Sequence, residues 1–135
     1  DRKVNGVSVF PIKDTIKLCK TFMSYRTRNL IFFPEGTRGT PGKILPFKKG
    51  AARFSLDLRA PILPAVIHGS HKAWPRGNFL MRPTRIEVYI LEPIYPDSFL
   101  EKDNPSEDDL SNASKNMTTA LEQAITKKAM ELYDR

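Results

Sequence analysis

Three short apolar runs constrain the fold of this chain most strongly, and they span Asn29 to Pro34, Ala60 to Ile67 and Arg85 to Leu91. The first is continuous, which is typical of a strand buried on both faces of a parallel sheet. The second contains two prolines, which place part of it at a strand start or an edge. The third alternates as a strand does. One segment with helical spacing lies between the first two runs, and others precede the first run and follow the third. Strands that alternate with helices predict an α/β fold with a mixed, mostly parallel sheet flanked by helices.

The helical segments carry apolar residues at spacings of three and four. They run from Asp14 to Tyr25, from Lys48 to Leu58 and from Leu110 to Ile125. Ser106 and Asp109 have the spacing of a capping-box variant that would begin the last helix. The sequence therefore predicts two short helices and one long terminal helix.

Composition limits the class of protein and the number of domains. The 135 residues, 40% hydrophobic and 27% charged, are enough for one domain with a core and are typical of a globular chain. We expect residues 1–96 to form the main part of that domain. Residues 97–135 should add an acidic linker, up to Asp109, and the terminal helix. The single cysteine, Cys19, points to a reducing compartment, because one cysteine forms no internal disulfide.

Charge is distributed unevenly along the chain. Residues 1–96 hold 17 Lys and Arg against 6 Asp and Glu, whereas residues 97–135 hold 5 against 9. This asymmetry indicates that the first part faces an anionic partner, which could be a phosphate ligand, lipid headgroups or nucleic acid. Charge alone does not choose among these.

A loop follows the first apolar run and joins a carboxylate to a guanidinium. Phe33 to Arg38 lead into a turn that is rich in glycine and bears Glu35, Thr37 and Arg38. Strands that run into such turns often build ligand sites at the carboxyl edge of a sheet. Arg38 has the donor geometry for a phosphate. The alternative is a surface turn with an exposed Glu35–Arg38 ion pair, and spacing alone favours it.

Several blocks resemble the glycerolipid acyltransferases, the family of 1-acylglycerol-3-phosphate (lysophosphatidic acid) acyltransferases. Phe33 to Arg38 is similar to the family's F-P-E-G-T-R block, Leu45 to Ala51 to its L-P-F-K-x-G-A run, and Ala60 to Val66 to its x-P-I-x-P-V-x block. Asp1-Arg2 resembles the end of the block G-x-x-F-I-D-R, and Glu92 to Ile94 resembles the segment G-E-P-I. The resemblance covers most of residues 1–94.

The reaction that this resemblance implies is acyl transfer in phospholipid synthesis. A fatty acyl group passes from acyl-coenzyme A or acyl carrier protein to a lysophospholipid, and the enzyme works at a membrane surface, on its cytoplasmic face. A His in an H-x-x-x-x-D motif acts as general base. His68 and His71 are followed five residues later by Ala73 and Arg76, so neither supplies the motif. In family order the motif would precede Asp1. We therefore expect a C-terminal portion, incomplete at its N-terminal side and inactive alone.

The same resemblance assigns the E-G-T-R block to the glycerol-phosphate part of the acceptor. We assign Arg38 to the phosphate, with the backbone of Gly36 and Thr37 beside it. Glu35 should hold the loop through hydrogen bonds. These are predicted substrate-binding residues, and the chain offers no catalytic residue of its own.

Arg2 and Lys48 complete the predicted substrate-binding set. Arg2 matches the D-R position of the preceding block and would add a second cation. Lys48 lies just beyond the loop, and its alternative is a solvated lysine on the first turn of a helix. The resemblance implies no metal and no organic cofactor.

The histidines, the region around Trp74 and the chain as a whole each allow a second interpretation. His68 and His71 lack the companions of a metal site and are expected to be polar loop residues. Trp74 and its basic neighbours would contact anionic headgroups or, alternatively, pack on the domain. The whole chain would be a lipid-binding or regulatory homologue without activity if it is complete. A basic nucleic-acid-binding module is a further alternative, but no recognised nucleic-acid motif supports it, and we expect no nucleic-acid partner.

Overall fold

The chain divides into two compact units, residues 1–32 and residues 33–135, and each is described by itself. The computed structural model describes residues 2–4, 7–9, 12–23, 28–37, 39–40, 43–75, 77–100 and 103–133.

The first unit contains a hairpin and a helix. Strands β1 (Arg2–Val4) and β2 (Val7–Val9) pair antiparallel, and helix α1 follows at Ile12–Met23. The helix prediction is confirmed, although the helix begins two residues earlier, so Asp14 lies within the first turn. Tyr25, the predicted end, lies outside the described residues.

The prediction of a buried strand from Asn29 to Pro34 is wrong. Residues 28–33 belong to no helix or strand, and the side chains of Ile31 and Phe33 are exposed. A central strand needs a neighbour on each side to bond its N–H and C=O groups. No described strand pairs with this run, so its apolar character alone does not make it a strand.

The second unit holds the remaining regular elements. They are α2 (Gly50–Leu58), β3 (Ala65–His68), α3 (Ser70–Ala73), β4 (Glu87–Ile90), a 3₁₀ turn (Pro96–Ser98) and α4 (Glu107–Tyr133). The helix predicted over Lys48 to Leu58 is confirmed and begins at Gly50.

Strands β3 and β4 pair antiparallel, with Val66 opposite Tyr89 and His68 opposite Glu87. Both strand pairs among the described residues are antiparallel, so these residues do not form the mostly parallel sheet that the sequence predicted. The reason lies in the connection. A parallel pair needs a crossover that returns the chain to its starting edge, usually through a helix, and β3 and β4 are joined by loops and the four residues of α3.

Prolines shorten the strand that was predicted over Ala60 to Ile67. Ile62 pairs singly with Ile94 through two backbone bonds of 2.9 and 2.8 Å, and the continuous ladder starts only after Pro64. A proline nitrogen has no hydrogen to donate, which interrupts the pairing between Ile62 and Ala65.

The larger core lies between α2 and α4, and Met117 at its centre is fully buried. Its other buried members are Ala52, Leu56, Leu100, Leu110 and Ala113. Leu100 comes from the segment predicted as a linker. Arg59, at the end of α2, holds this segment by donating to the Asp97 carboxylate at 2.9 Å and to the carbonyl oxygen of Leu100 at 3.0 Å. The acidic stretch is thus partly packed.

Arg53 ties α2 to the start of α4. Its guanidinium donates to Asp57 at 2.7 Å and to Glu107 at 2.9 Å. Burial by itself would lower the pKa of Arg53, but the two carboxylates outweigh that effect and raise the pKa above its ordinary value. The Arg53 guanidinium is therefore engaged in the ion pairs that hold α2 to α4.

A second cluster packs the sheet on the far half of α4. Val66 meets Ala129 and Leu132 there, and the Lys128 ammonium lies 5.0 Å from the centre of the Tyr89 ring. The opposite face of the sheet is apolar and exposed. Its members on paired positions are Ala65, Ile67, Val88 and Ile90.

The start of α4 is the predicted capping box. Asp109 N–H donates to the Ser106 hydroxyl at 3.1 Å, and the Asp109 carboxylate accepts the Ser106 N–H at 3.0 Å. In the part of the chain that the structure describes, no helix has the length and apolar character needed to cross a membrane.

Candidate functional site

The loop from Phe33 to Lys48 is closed at both ends by backbone hydrogen bonds. Gly36 N–H donates to the carbonyl oxygen of Phe33 at 3.0 Å, which makes a tight turn. Lys48 N–H donates to the carbonyl oxygen of Pro34 at 2.9 Å, so the beginning and the end of the loop lie side by side. We call these residues, 33–48, the glycine loop.

The Glu35 carboxylate bonds to the loop's own backbone. Its Oε2 accepts the Leu45 N–H at 2.8 Å, across ten residues of chain. Gly39 lies against the same oxygen, because a Cβ at this position would be 3.3 Å from it and 3.1 Å from the carbonyl oxygen of Lys43. Glu35 is half-buried, and its carboxylate bonds within the loop.

The Lys48 side chain lies over Gly36. A Cβ on Gly36 would be only 2.6 Å from the Lys48 ammonium nitrogen, so glycine lets the cation reach the turn. Gly36 also has a φ of +70°, which is unfavourable for other residues. Thr37, next in the chain, is exposed. An ammonium group and an exposed turn are thereby brought together.

A contact that the sequence analysis missed fixes the far side of the loop. Phe47 N–H donates to the Glu122 carboxylate at 3.1 Å, and Glu122 lies in α4, 75 residues along the chain. The sequence signal for this contact was weak. Glu122 directly follows Leu121 of the apolar stripe, but a residue that only faces solvent could occupy the same position. The long helix thus holds the glycine loop as well as the core.

Replacing Glu122 with alanine should loosen the glycine loop without unfolding the chain. The Phe47 N–H would lose a charged acceptor, and a hydrogen bond to a charged group contributes about 1.5 to 3 kcal/mol. We expect amide exchange at Phe47 to become about tenfold faster or more. Glu131→Ala is the matched control, because Glu131 pairs with Lys128 on the same helix and is exposed. Equal acceleration in both variants would contradict a specific contact.

The structure brings together part of the predicted substrate-binding set. Glu35, Gly36, Thr37 and Lys48 share the glycine loop. Arg38 lies outside the described residues. Arg2 lies in β1, in the first unit.

The chain segment around the glycine loop is mostly cationic, and the two carboxylates that reach the loop, Glu35 and Glu122, accept backbone N–H groups. Between Glu35 and Asp57 the sequence has five cationic residues and no acidic one, and the cations are Arg38, Lys43, Lys48, Lys49 and Arg53. The one acid at the start of the loop, Glu35, bonds to backbone. This is the electrostatic arrangement of a site for an anion.

The two histidines lie in an aromatic cluster at the end of β3. Their ring centres are 6.4 Å apart, and those of His68 and Tyr133 are 5.4 Å apart. Among the residues that the structure describes, no three His, Cys, Asp or Glu side chains gather as a metal site would require.

Comparison with known proteins gives a consistent family. The family model described as "Acyltransferase" matches residues 10–68. The chain is 36% identical over 99 residues to a 1-acyl-sn-glycerol-3-phosphate acyltransferase of Limnanthes douglasii, which covers 73% of this chain and 34% of that protein. It is 39% identical over 89 residues to the enzyme of the same name from Cocos nucifera, covering 66% of this chain and 29% of that protein.

A solved structure has the same fold. The chain matches the crystal structure of the 1-acyl-sn-glycerophosphate (LPA) acyltransferase PlsC from Thermotoga maritima with a TM-score of 0.67 and 28% identity, covering 94% of this chain and 46% of that one. The chain therefore spans about a third of the length of the first two relatives and about half of this structure. Because the family model, the relatives and the fold agree, and the glycine loop lies within the matched residues, this chain belongs to the family of 1-acylglycerol-3-phosphate acyltransferases.

Proposed function

We propose that this chain supplies the acceptor-binding part of a 1-acylglycerol-3-phosphate acyltransferase of phospholipid synthesis. The glycine loop holds the phosphate of the acceptor, with Arg38 and Lys48 as its cations and Gly36 and Thr37 beside them. The observation that carries the proposal is the position of the Lys48 ammonium over Gly36, with the Glu35 carboxylate bonded to Leu45 N–H.

The chemistry of the loop favours a phosphate over a neutral group. A phosphate near neutral pH carries up to two negative charges and several acceptor oxygens, which cations and exposed N–H groups satisfy together. A free carboxylate at the turn would repel it. Because Glu35 accepts a backbone N–H, its charge is partly satisfied within the loop and leaves the Lys48 side to the ligand.

The start of α2 adds to this preference. Helix α2 begins at Gly50, two residues after Lys48, and Lys49 before it gives no side-chain cap to the first turn. The unbonded N–H groups of a helix N-terminus carry partial positive charge, which stabilises an anion nearby. The backbone and Lys48 therefore act in the same direction.

The general base would come from outside this chain. Neither His68 nor His71 has the spacing of the H-x-x-x-x-D motif, so we propose that the chain is a C-terminal portion of the enzyme and transfers no acyl group alone. The acyl donor is a thioester of coenzyme A or acyl carrier protein. The whole protein works at a membrane surface, on its cytoplasmic face, where its acceptor lies.

Binding of a short-chain lysophosphatidate to the 135-residue chain tests the proposal directly. Arg38→Ala should weaken binding by about tenfold to a hundredfold, because each charge-assisted hydrogen bond to phosphate contributes about 1.5 to 3 kcal/mol. Lys48→Ala should weaken it about two- to tenfold, since a single exposed ammonium contributes less. Isothermal titration below the micelle concentration measures both.

Two controls separate phosphate recognition from general lipid binding. A monoacylglycerol with the same acyl chain should bind the wild-type chain more weakly than lysophosphatidate does, and Arg38→Ala should leave the affinity for monoacylglycerol unchanged. Lys115→Ala removes one exposed cation of α4 and should leave affinity unchanged. If both lipids bind wild-type protein equally and neither loop variant changes affinity, the loop does not hold the phosphate.

A further inference from the structure

The connection between β3 and β4 combines apolar and cationic residues. We call residues 69–86 the β3–β4 connection. It contains four Lys and Arg, no Asp and no Glu, together with Trp74 and the run Phe79-Leu80-Met81. It begins where the match to the family model ends, at residue 68, and it is remote in sequence from the glycine loop.

The apolar residues of the connection face solvent. Phe79 is 96% exposed, Leu80 75% and Met81 70%, and Trp74 is also exposed. Single apolar residues on a surface are ordinary, but three consecutive large ones with a nearby tryptophan form a patch. Such a patch indicates a contact that covers it.

Hydrogen bonds hold this patch in an ordered turn. Arg82 N–H donates to the carbonyl oxygen of Ala73 at 2.8 Å, which closes the segment at its base. Inside it, the Trp74 indole N–H donates to the carbonyl oxygen of Asn78 at 2.8 Å, and Asn78 N–H donates to that of Pro75 at 3.2 Å. These hydrogen bonds already order the loop that carries the apolar tip, so burying the tip costs little further conformational entropy.

Cations flank the tip. Lys72 and Arg82 are exposed on either side of it, and Arg85 is exposed while its guanidinium bonds Glu87 at 2.9 Å. An apolar protein partner would not require this excess of cations. A bilayer with anionic headgroups offers both an apolar interior and a negative surface, and tryptophan favours its interface.

We propose that the β3–β4 connection is a membrane-contact loop. Phe79, Leu80 and Met81 enter the interfacial region of an anionic bilayer, Trp74 lies at the headgroup level, and Lys72 and Arg82 contact headgroup phosphates. This inference rests on the proposed association of the protein with a membrane surface and adds the segment that makes the contact. It requires no acyl transfer.

The single tryptophan of the chain is a built-in reporter for the test. The 135-residue chain is mixed with vesicles of phosphatidylcholine containing phosphatidylglycerol, and Trp74 fluorescence and co-flotation are measured. Wild-type emission should shift to shorter wavelength, and brominated lipids should quench it. A triple variant, Phe79→Ser, Leu80→Ser, Met81→Ser, should lose the shift. Its affinity for vesicles should fall by about tenfold or more, since each of the three side chains contributes buried apolar area.

The matched control removes an equal number of exposed apolar residues elsewhere. Ile67→Thr, Val88→Thr, Ile90→Thr changes the open sheet face and should leave vesicle binding unchanged. Lys72→Gln with Arg82→Gln should weaken binding to anionic vesicles about fivefold per charge, with no effect on pure phosphatidylcholine. Circular dichroism melts verify that each variant folds.

The outcomes separate the two proposals. If wild-type protein binds no vesicle, membrane association and the loop assignment both fail, whereas phosphate recognition by the glycine loop is still measured by lysophosphatidate titration. If wild-type protein binds and the serine variant binds equally, or the threonine control loses as much, the loop assignment alone is overturned.

Discussion

Gly69→Ala should lower the free energy of unfolding by about 2 to 5 kcal/mol, a large part of the stability of a chain this size. Gly69 follows β3 with a φ of +85°, and a Cβ there would be 2.4 Å from the carbonyl oxygen of Arg85. The backbone of Arg85 enters β4 and has little freedom to move. Both the left-handed conformation and the clash oppose the substitution. Urea denaturation followed by circular dichroism measures the loss.

Gly50→Ala provides the matched control for this prediction. A Cβ on Gly50 would meet nothing within 4 Å, and the residue opens helix α2. Alanine favours a helix over glycine by about 0.5 to 1 kcal/mol, so this variant should be unchanged or slightly more stable. If both alanine variants lose the same stability, close approach at Gly69 is not the cause.

Met117→Ala should destabilise the chain by about 2 to 5 kcal/mol, the usual cost of emptying a filled core position. Met117 is 0% exposed and lies between α2 and α4. Met117→Leu keeps most of the volume and should cost less than about 1.5 kcal/mol. Thermal and urea melts of the two variants give the comparison.

Met130→Ala removes the same side chain from the same helix at an exposed site. Met130 is 62% exposed, so its loss should change the stability by no more than about 0.5 kcal/mol. A destabilisation at Met130 comparable to that at Met117 would show that helix propensity, rather than core packing, governs these substitutions.

The elements that the sequence predicted well are those whose signals are local. The capping box at Ser106 and Asp109 lies within four residues, and the apolar stripe of α4 repeats along one helix. The start of α2 and that of α1 shifted by only two residues. Helical contacts lie within one or two turns, so a single sequence carries them.

Strand pairing could not be predicted in the same way. The run at 29–34 has the composition of a buried strand, but composition does not supply partners, and the run is exposed. The antiparallel pairing of β3 with β4 depends on the course of the chain over eighteen intervening residues. In β4 the apolar residues Val88 and Ile90 lie on the exposed face, whereas Glu87 and Tyr89 share the face of Val66, which packs on α4. Hydrophobic alternation therefore did not indicate the packed face.

The candidate site was predictable where a motif carried it. The E-G-T-R block named Glu35 and Gly36, and Lys48 came from the neighbouring run. The bond from Phe47 to Glu122 could not be read from the sequence, because no spacing rule relates residues 75 apart. Nor did any pattern show that the Lys48 side chain lies over Gly36.

Helix α4 completes both apolar clusters of the second unit, and it follows every other element of that unit in the sequence. During synthesis, α2, β3 and β4 therefore leave the ribosome before the helix that covers them. Until residues 107–133 emerge, Leu56 lacks its neighbour Met117 and Val66 lacks Ala129 and Leu132, so the nascent chain presents apolar surface to chaperones. The order of elements along the chain thus makes folding of this unit a late event, completed when its final helix is released.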